Sequence, residues 1–267
     1  MRLLIHKGYE NISRWTANYI VQRLIEFTGG SGKPFVLGLP TGSTPLGVYR
    51  HLITAYKTGK VSFSNVITFN MDEYLGLPPD HPQSYRRFMD DNFFSAVDIK
   101  IENTHIPNGM TTNPKEECRA YEEAIKAAGG IELFMGGIGS NGHIAFNEPG
   151  SSLNSRTRAM TLTTETRIAN ARFFDGDPQK VPAQALTVGI GTVMDAREVL
   201  IIVSGRQKAR ALQAAVEGGL SHWCPLSCLQ KHPQAIIVCD EEAADELKYG
   251  TVRYFKDIEK SEIENLG

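Results

Sequence analysis

A chain of 267 residues can bury a full core as one domain, and 41% hydrophobic with 22% charged residues is the balance of a soluble globular protein. A net charge of −2 leaves no broad basic face for nucleic acid, so a small molecule held by local donors is the expected partner. The longest apolar run, about Val199 to Val203, is far below the roughly 20 residues that span a bilayer. With no apolar leader at the N-terminus, a cytoplasmic location is expected.

Leu3 to Ile5 reads as a first strand. From Asn11 to Phe27 the apolar residues Ile12, Trp15, Tyr19, Ile20 and Leu24 keep a helical period, and Gly29-Gly30 ends that helix. Pro34 opens a second strand, Phe35 to Leu39, which runs into Pro40-Thr41-Gly42-Ser43-Thr44-Pro45. A helix from Pro45 to about Lys57 follows, with Thr44 as its cap. Val66 to Asn70 is a third strand that delivers Met71-Asp72-Glu73-Tyr74 at its carboxyl end. Ser84 caps a helix through Phe94, and another covers about Pro114 to Ala128 before Gly129-Gly130 turns the chain into a strand at Ile131 to Met135. Thr163 to Phe174 is helical in character and Asp175 to Pro182 is a polar loop. Leu186 to Val188, Glu198 to Ser204 and Ala235 to Val238 are further strands, each followed by a helix. Ala243 to Ile258 is a last helix broken at Gly250.

Strands alternating with helices, several of them continuously apolar, predict an α/β fold: a mostly parallel open sheet with helices on both faces, Rossmann-like. In such a sheet ligands lie beyond the carboxyl ends of the strands. Thr41-Gly42-Ser43-Thr44, Asp72, His143 and Gly205 to Lys208 all fall at such ends.

The first of these loops precedes a helix start, and its N–H groups, hydroxyls and helix dipole suit a phosphate or an N-cap turn equally. It lacks the lysine spacing of a Walker loop. Ser204-Gly205-Arg206-Gln207-Lys208 repeats the geometry with cations added, and Arg172 offers a bidentate fork to the same anion. Asp72 and Glu73 are adjacent and alternate in direction if the strand continues, so one of them faces the cleft. Gly136 to Pro149 places His143 and Glu148 in a glycine loop, a setting for acid–base chemistry. Its Gly137-x-Gly139-x2-Gly142 spacing matches a dinucleotide fingerprint, but Pro149 forbids the long helix such a site needs. His222, Cys224, Cys228 and His232 are spaced loosely like zinc ligands, although Pro225 and the missing C-x2-C pair favour buried reduced thiols.

With these residues assembled, the chain resembles the glucosamine-6-phosphate deaminase family over nearly its whole length. Leu39 to Pro45, Thr68 to Tyr74 and Gly142 to Pro149 carry the likeness, extended by Ser151 to Arg158 and Ala185 to Gly189. The resemblance implies conversion of glucosamine 6-phosphate and water to fructose 6-phosphate and ammonium without a cofactor or metal. It implies His143, oriented by Glu148 and Asn141, as the ring-opening base, and Asp72 as the carrier of a proton between C2 and C1. Thr41, Gly42, Ser43, Arg172 and Lys208 match the family's phosphate-binding positions, with a lid over residues 161–185 of a single domain spanning 1–267.

Two departures stand out. The family usually carries Asp where this chain has Asn141, and an amide lacks the charge that stabilises an imidazolium; flipped, it would favour the wrong tautomer. A working enzyme with slowed ring opening is therefore expected. Some family members are hexamers activated by N-acetylglucosamine 6-phosphate between subunits. Ser151, Arg158, Thr161 and Tyr254 match that site, but Met160 replaces a lysine, so weakened activation of the expected homo-oligomer follows. Relatives acting on galactosamine 6-phosphate or on a sugar lactone, and an inactive sugar-phosphate sensor, are the alternatives.

Overall fold

Short runs of branched apolar residues, alternating in direction, build the centre of the molecule. The structure, a computed structural model, describes residues 1–28 and 32–266, so the expected helix end at Gly29-Gly30 lies outside the described residues. The strands are β1 (Arg2–His6), β2 (Phe35–Leu39), β3 (Val66–Asn70), β4 (Asp72–Tyr74), β5 (Thr104–His105), β6 (Leu133–Gly137), β7 (Arg158–Thr161), β8 (Gln184–Thr187), β9 (Glu198–Val203) and β10 (Ala235–Asp240). The α-helices are α1 (Tyr9–Thr28), α2 (Leu46–Lys57), α3 (Tyr85–Asn92), α4 (Pro114–Ala127), α5 (Thr164–Asn170), α6 (Ile190–Met194), α7 (Ala209–Glu217), α8 (Tyr249–Ile258) and α9 (Lys260–Leu266).

Seven strands form one sheet in the order β1-β10-β9-β6-β2-β3-β5, and every pairing in it is parallel. Both faces are apolar, as a fully covered parallel sheet requires. In β9, Leu200 and Ile202 pack with Ile12 and Trp15 of α1 and Tyr49 and Leu52 of α2. The alternate residues Val199, Ile201 and Val203 pack with Tyr121 and Ile125 of α4, Val193 of α6 and Leu212 of α7. Cutting any one of these fully buried aliphatics back to alanine is expected to cost about 2–5 kcal/mol.

Four neighbouring strands of that sheet, β9, β6, β2 and β3, are followed by the four stretches that carry the candidate chemistry. Their order reverses chain direction between β6 and β2, which is where a doubly wound sheet opens a crevice.

The 186–188 strand belongs elsewhere. β4, β8 and β7 form a separate antiparallel sheet, in which Asp72 pairs with Thr187 and Tyr74 with Ala185. Tyr74, Phe146, Leu162, Phe174, Val181 and Ala185 give it a small core of its own. An apolar run shows that a strand is buried but not which strand it joins, and here Val188 N donates to Met71 O just past β3.

Three boundaries also differ from expectation. β6 runs through Gly136 and Gly137, which pair with Ile201 and Ile202 of β9, and position 136 has no room for a side chain, since a Cβ would lie 2.9 Å from Ile201 Cδ1 and 3.0 Å from Met71 Cε. Thr44 caps nothing: Pro45 occupies the N-cap of α2 without a side-chain bond, and the Gly47 N–H donates instead to Tyr9 Oη at 2.8 Å. Gly250 lies inside the first turn of α8, and the break falls earlier, in the turns of residues 241–247.

Candidate active site

The loops after β2, β6 and β9, together with Asp72 at the start of β4, line one cavity of about 550 Å³. Thr41, Gly42 and Ser43 come from the first loop, Asn141 and His143 from the second, and Lys208 from the third. Residues of the 161–185 segment, among them Thr166, Asn170 and Arg172, also line it. Gly42 has φ +97°, a left-handed turn that glycine adopts without strain.

In the β6 loop the backbone folds tightly on itself, with Gly139 N donating to His143 O at 2.8 Å and Gly142 N to Gly139 O at 3.0 Å. The imidazole of His143 lies flat over Gly139, where any Cβ would sit 2.1 Å from the ring. Asn141 Oδ1 accepts from the ring at Nδ1, 2.7 Å away. A carbonyl oxygen can only accept, so Nδ1 carries the hydrogen and Nε2 keeps its lone pair. On its other side Asn141 Nδ2 donates to Glu148 Oε2 at 2.8 Å. A flipped amide would set its oxygen against that carboxylate, so Glu148 holds the amide in the orientation that preserves the basic tautomer. The feared flip is opposed by a buried anion.

Glu148 is 5% exposed. Burial works to raise its pKa, but His143, whose Nδ1 lies 3.6 Å from Oε2, and hydrogen bonds from Thr166 and Asn141 outweigh it and hold the carboxyl down at about 2. Thr166 Oγ1 donates to Oε1, and Thr163 Oγ1 does so at 3.4 Å.

Asp72 is the opposite case. It is 7% exposed; burial, and then the charge of Glu73, push its carboxyl up to about 8. No hydrogen bond reaches its side chain among the described residues. Glu73 points away from the cavity and accepts the backbone N–H groups of Tyr74 at 2.8 Å, Tyr85 at 2.9 Å and Arg86 at 3.0 Å. The capping task that an acidic residue at a strand end often performs thus falls to Glu73, and Asp72 is left for the cavity.

Lys208 ends the short 3-10 turn Arg206–Lys208 and caps α7. Burial, then the nearby charge of Arg172, lowers its pKa. Arg172 sits in the 3-10 turn after α5 with its guanidinium 4.6 Å from the Phe173 ring centroid. Neither cation makes an ion pair among the described residues, and both line the cavity.

The residues matched to an activator site are only partly gathered. Arg158 donates to Asn147 Oδ1 at 2.8 Å and Ser151 Oγ at 3.2 Å. Met160 and Thr161 follow it on β7, whereas Tyr254 lies on α8, which packs on β1 and α9. The remaining motifs resolve simply. No helix opens in the Gly137 to Gly142 loop. Both nitrogens of His232 face backbone groups, Nε2 at 2.8 Å from Ala196 O and Nδ1 accepting from Gln234 N at 3.0 Å, which leaves neither for zinc.

A family profile described as glucosamine-6-phosphate isomerases/6-phosphogluconolactonase matches residues 9–238. The chain belongs to this family. It is 60% identical over 263 residues to the glucosamine-6-phosphate deaminase of Parabacteroides distasonis, covering 98% of this chain and 97% of that one. The deaminase of Treponema denticola is likewise 60% identical, over 264 residues, covering 99% of this chain and 98% of its own. Among solved structures, a monomeric glucosamine-6-phosphate deaminase superimposes with TM-score 0.88 at 41% identity, covering 92% of this chain and 100% of that one. The 6-phosphogluconolactonase of Thermotoga maritima, at 20% identity and TM-score 0.70 over 90% of this chain and 100% of its own, shares the fold.

Within this family member, sequence reasoning missed the polar face of α5. Thr163, Thr166 and Asn170 recur at helical spacing. The two threonines meet Glu148, and Asn170 Nδ2 donates to Tyr74 Oη at 3.0 Å. The signal was present, since polar residues at i, i+3 and i+7 define a face, but nothing local tells that this face is turned inward.

Proposed function

We propose that the protein is a glucosamine-6-phosphate deaminase, releasing ammonium and forming fructose 6-phosphate. The observation that carries this reading is the content of one cavity: two cations without an ion pair among the described residues, an oriented imidazole and a carboxyl that retains its proton near neutral pH.

In this reading Lys208, Arg172 and the Thr41-Gly42-Ser43 turn grip the 6-phosphate and hold the sugar's reactive carbons within the cavity. His143 Nε2 takes the proton of the anomeric hydroxyl and returns it to the ring oxygen, opening the pyranose to the aldehyde. Asn141 and Glu148 keep the imidazole in the required tautomer. Asp72 then moves the C2 proton to C1 by way of an enolamine while one proton of the substrate's ammonium passes to O1, so that C1 becomes CH2OH and an iminium is left at C2. Water adds there, and the C–N bond breaks to give the ketone and ammonium. The raised pKa of Asp72 fits a base that works beside the substrate's own ammonium, whose positive charge favours the carboxylate once the sugar is bound.

Ammonium release from glucosamine 6-phosphate by the purified protein tests the proposal. Release at an enzymatic rate supports it; binding without release would make the protein a sugar-phosphate sensor, and release only from the galacto epimer would move its substrate.

A cytoplasmic homo-oligomer, hexameric as in some family members, is the assembly we propose, with N-acetylglucosamine 6-phosphate a weak activator. The commitment of Arg158 to Asn147 and Ser151, and a methionine at position 160, support the weakness. A velocity curve that the acetylated sugar shifts only slightly agrees with it, and a strong left shift contradicts it.

A further inference from the structure

Glu148 is held from two sides, and the second side belongs to the segment over the cavity. Oε2 receives Asn141, which sets the tautomer of His143. Oε1 receives Thr166, buried in the middle of α5, and more distantly Thr163, which also caps that helix by accepting from Thr166 N. Six residues beyond Thr166 the same segment carries Arg172.

We propose that Thr166 is a positioning residue for ring opening: its hydroxyl fixes the rotation of Glu148, so that Glu148 holds the Asn141 amide and keeps His143 Nε2 basic. The inference rests on the deaminase reading and adds to it a link between the segment that grips phosphate and the base that opens the sugar. Asn141 makes that link matter. An aspartate at position 141 would have two equivalent oxygens and accept from Nδ1 either way round, whereas an amide accepts in only one of its two orientations. With the amide in place, Glu148 is the group that chooses, and Thr166 is the buried donor that keeps Glu148 from turning. The groups facing this carboxylate are His143 and Asn141 from the β6 loop and Thr163 and Thr166 from α5. Loss of the Thr166 donor therefore also moves the carboxylate's titration upward.

Thr166→Val keeps the shape of threonine and removes the hydroxyl. We expect kcat on cyclic glucosamine 6-phosphate to fall about tenfold, as loss of a hydrogen bond to a charged group implies. Thr166→Ser should restore kcat. Affinity for the acyclic 2-amino-2-deoxyglucitol 6-phosphate, which has no ring to open, should stay within about twofold of the parent. Unchanged kcat in the valine variant would overturn the inference. So would equal losses in turnover and in acyclic-ligand affinity, which would mean that Thr166 only holds the segment in place. If the parent protein releases no ammonium, the deaminase reading falls first, and the two failures are distinguished by that control.

Discussion

Two buried carboxylates lie beyond the carboxyl ends of two strands of the sheet, β3 and β6, that flank β2, and are driven in opposite directions. Asp72, past β3, has burial and a like charge but no donors, and is raised to about 8. Glu148, past β6, is buried as well, yet the adjacent His143 and donors from Thr166 and Asn141 hold it at about 2. The contrast separates two tasks. A carboxyl with no donors exchanges a proton readily once a cation arrives, which suits transfer between carbons. A carboxylate saturated with donors stays charged and directional, which suits orienting an imidazole. Burial supplies neither role by itself; the donors decide.

The largest effect that would break this contrast concerns Asp72. Asp72→Asn should reduce ammonium release by at least about 10³-fold, within the range general acid–base groups contribute, while sugar-phosphate binding persists. A variant that still turned over would remove Asp72 from proton transfer.

Asn141 sharpens the other side. Asn141→Leu fills the space but neither accepts from His143 nor donates to Glu148, and turnover of the cyclic sugar should fall about 10²-fold. Asn141→Asp should raise turnover, by less than about tenfold, because Glu148 already secures the tautomer. A rise of several orders of magnitude would mean that the amide is not held as described.

The smallest effects are on stability, and their pH dependence runs in opposite senses. Asp72 titrates at 3.8 when unfolded and about 8 when folded, so its ionisation opposes folding increasingly between those values and fully above them. Thermal melts should show Asp72→Asn gaining on the parent as pH rises from 4 to 8. Glu148 shifts from 4.5 down to about 2, so its stabilising contribution is complete above 4.5 and disappears as pH falls through 2. The deficit of Glu148→Gln should therefore be widest above pH 4.5 and close toward pH 2. Parallel curves for the two variants would contradict the assigned shifts.

Much of this was legible in the chain. Continuous apolar runs marked β2, β3, β9 and β10, and loops beyond strand ends marked Thr41, Asp72, His143 and Lys208, because strand direction alone aims those residues at one crevice. What stayed hidden depends on contacts distant in sequence. β7 is a short strand of mixed exposure, and its partner β8 reads from sequence like any buried strand. The separation of Asp72 from Glu73 needed the N–H groups of Tyr85 and Arg86. The orientation of the Asn141 amide is set seven residues away by Glu148, and Glu148 in turn by Thr166, a further 18 residues along the chain on α5. An Asn in place of Asp reads as a defect until the carboxylate beside it is seen.

The division of labour can be measured in one experiment, the exchange between α and β anomers of glucosamine 6-phosphate followed by NMR in the presence of Asp72→Asn. If ring opening belongs to His143, Asn141 and Glu148, this variant should accelerate anomer exchange as the parent does and release no ammonium. Loss of both activities together would contradict the account, because Asp72 would then be needed to open the ring as well as to move the proton.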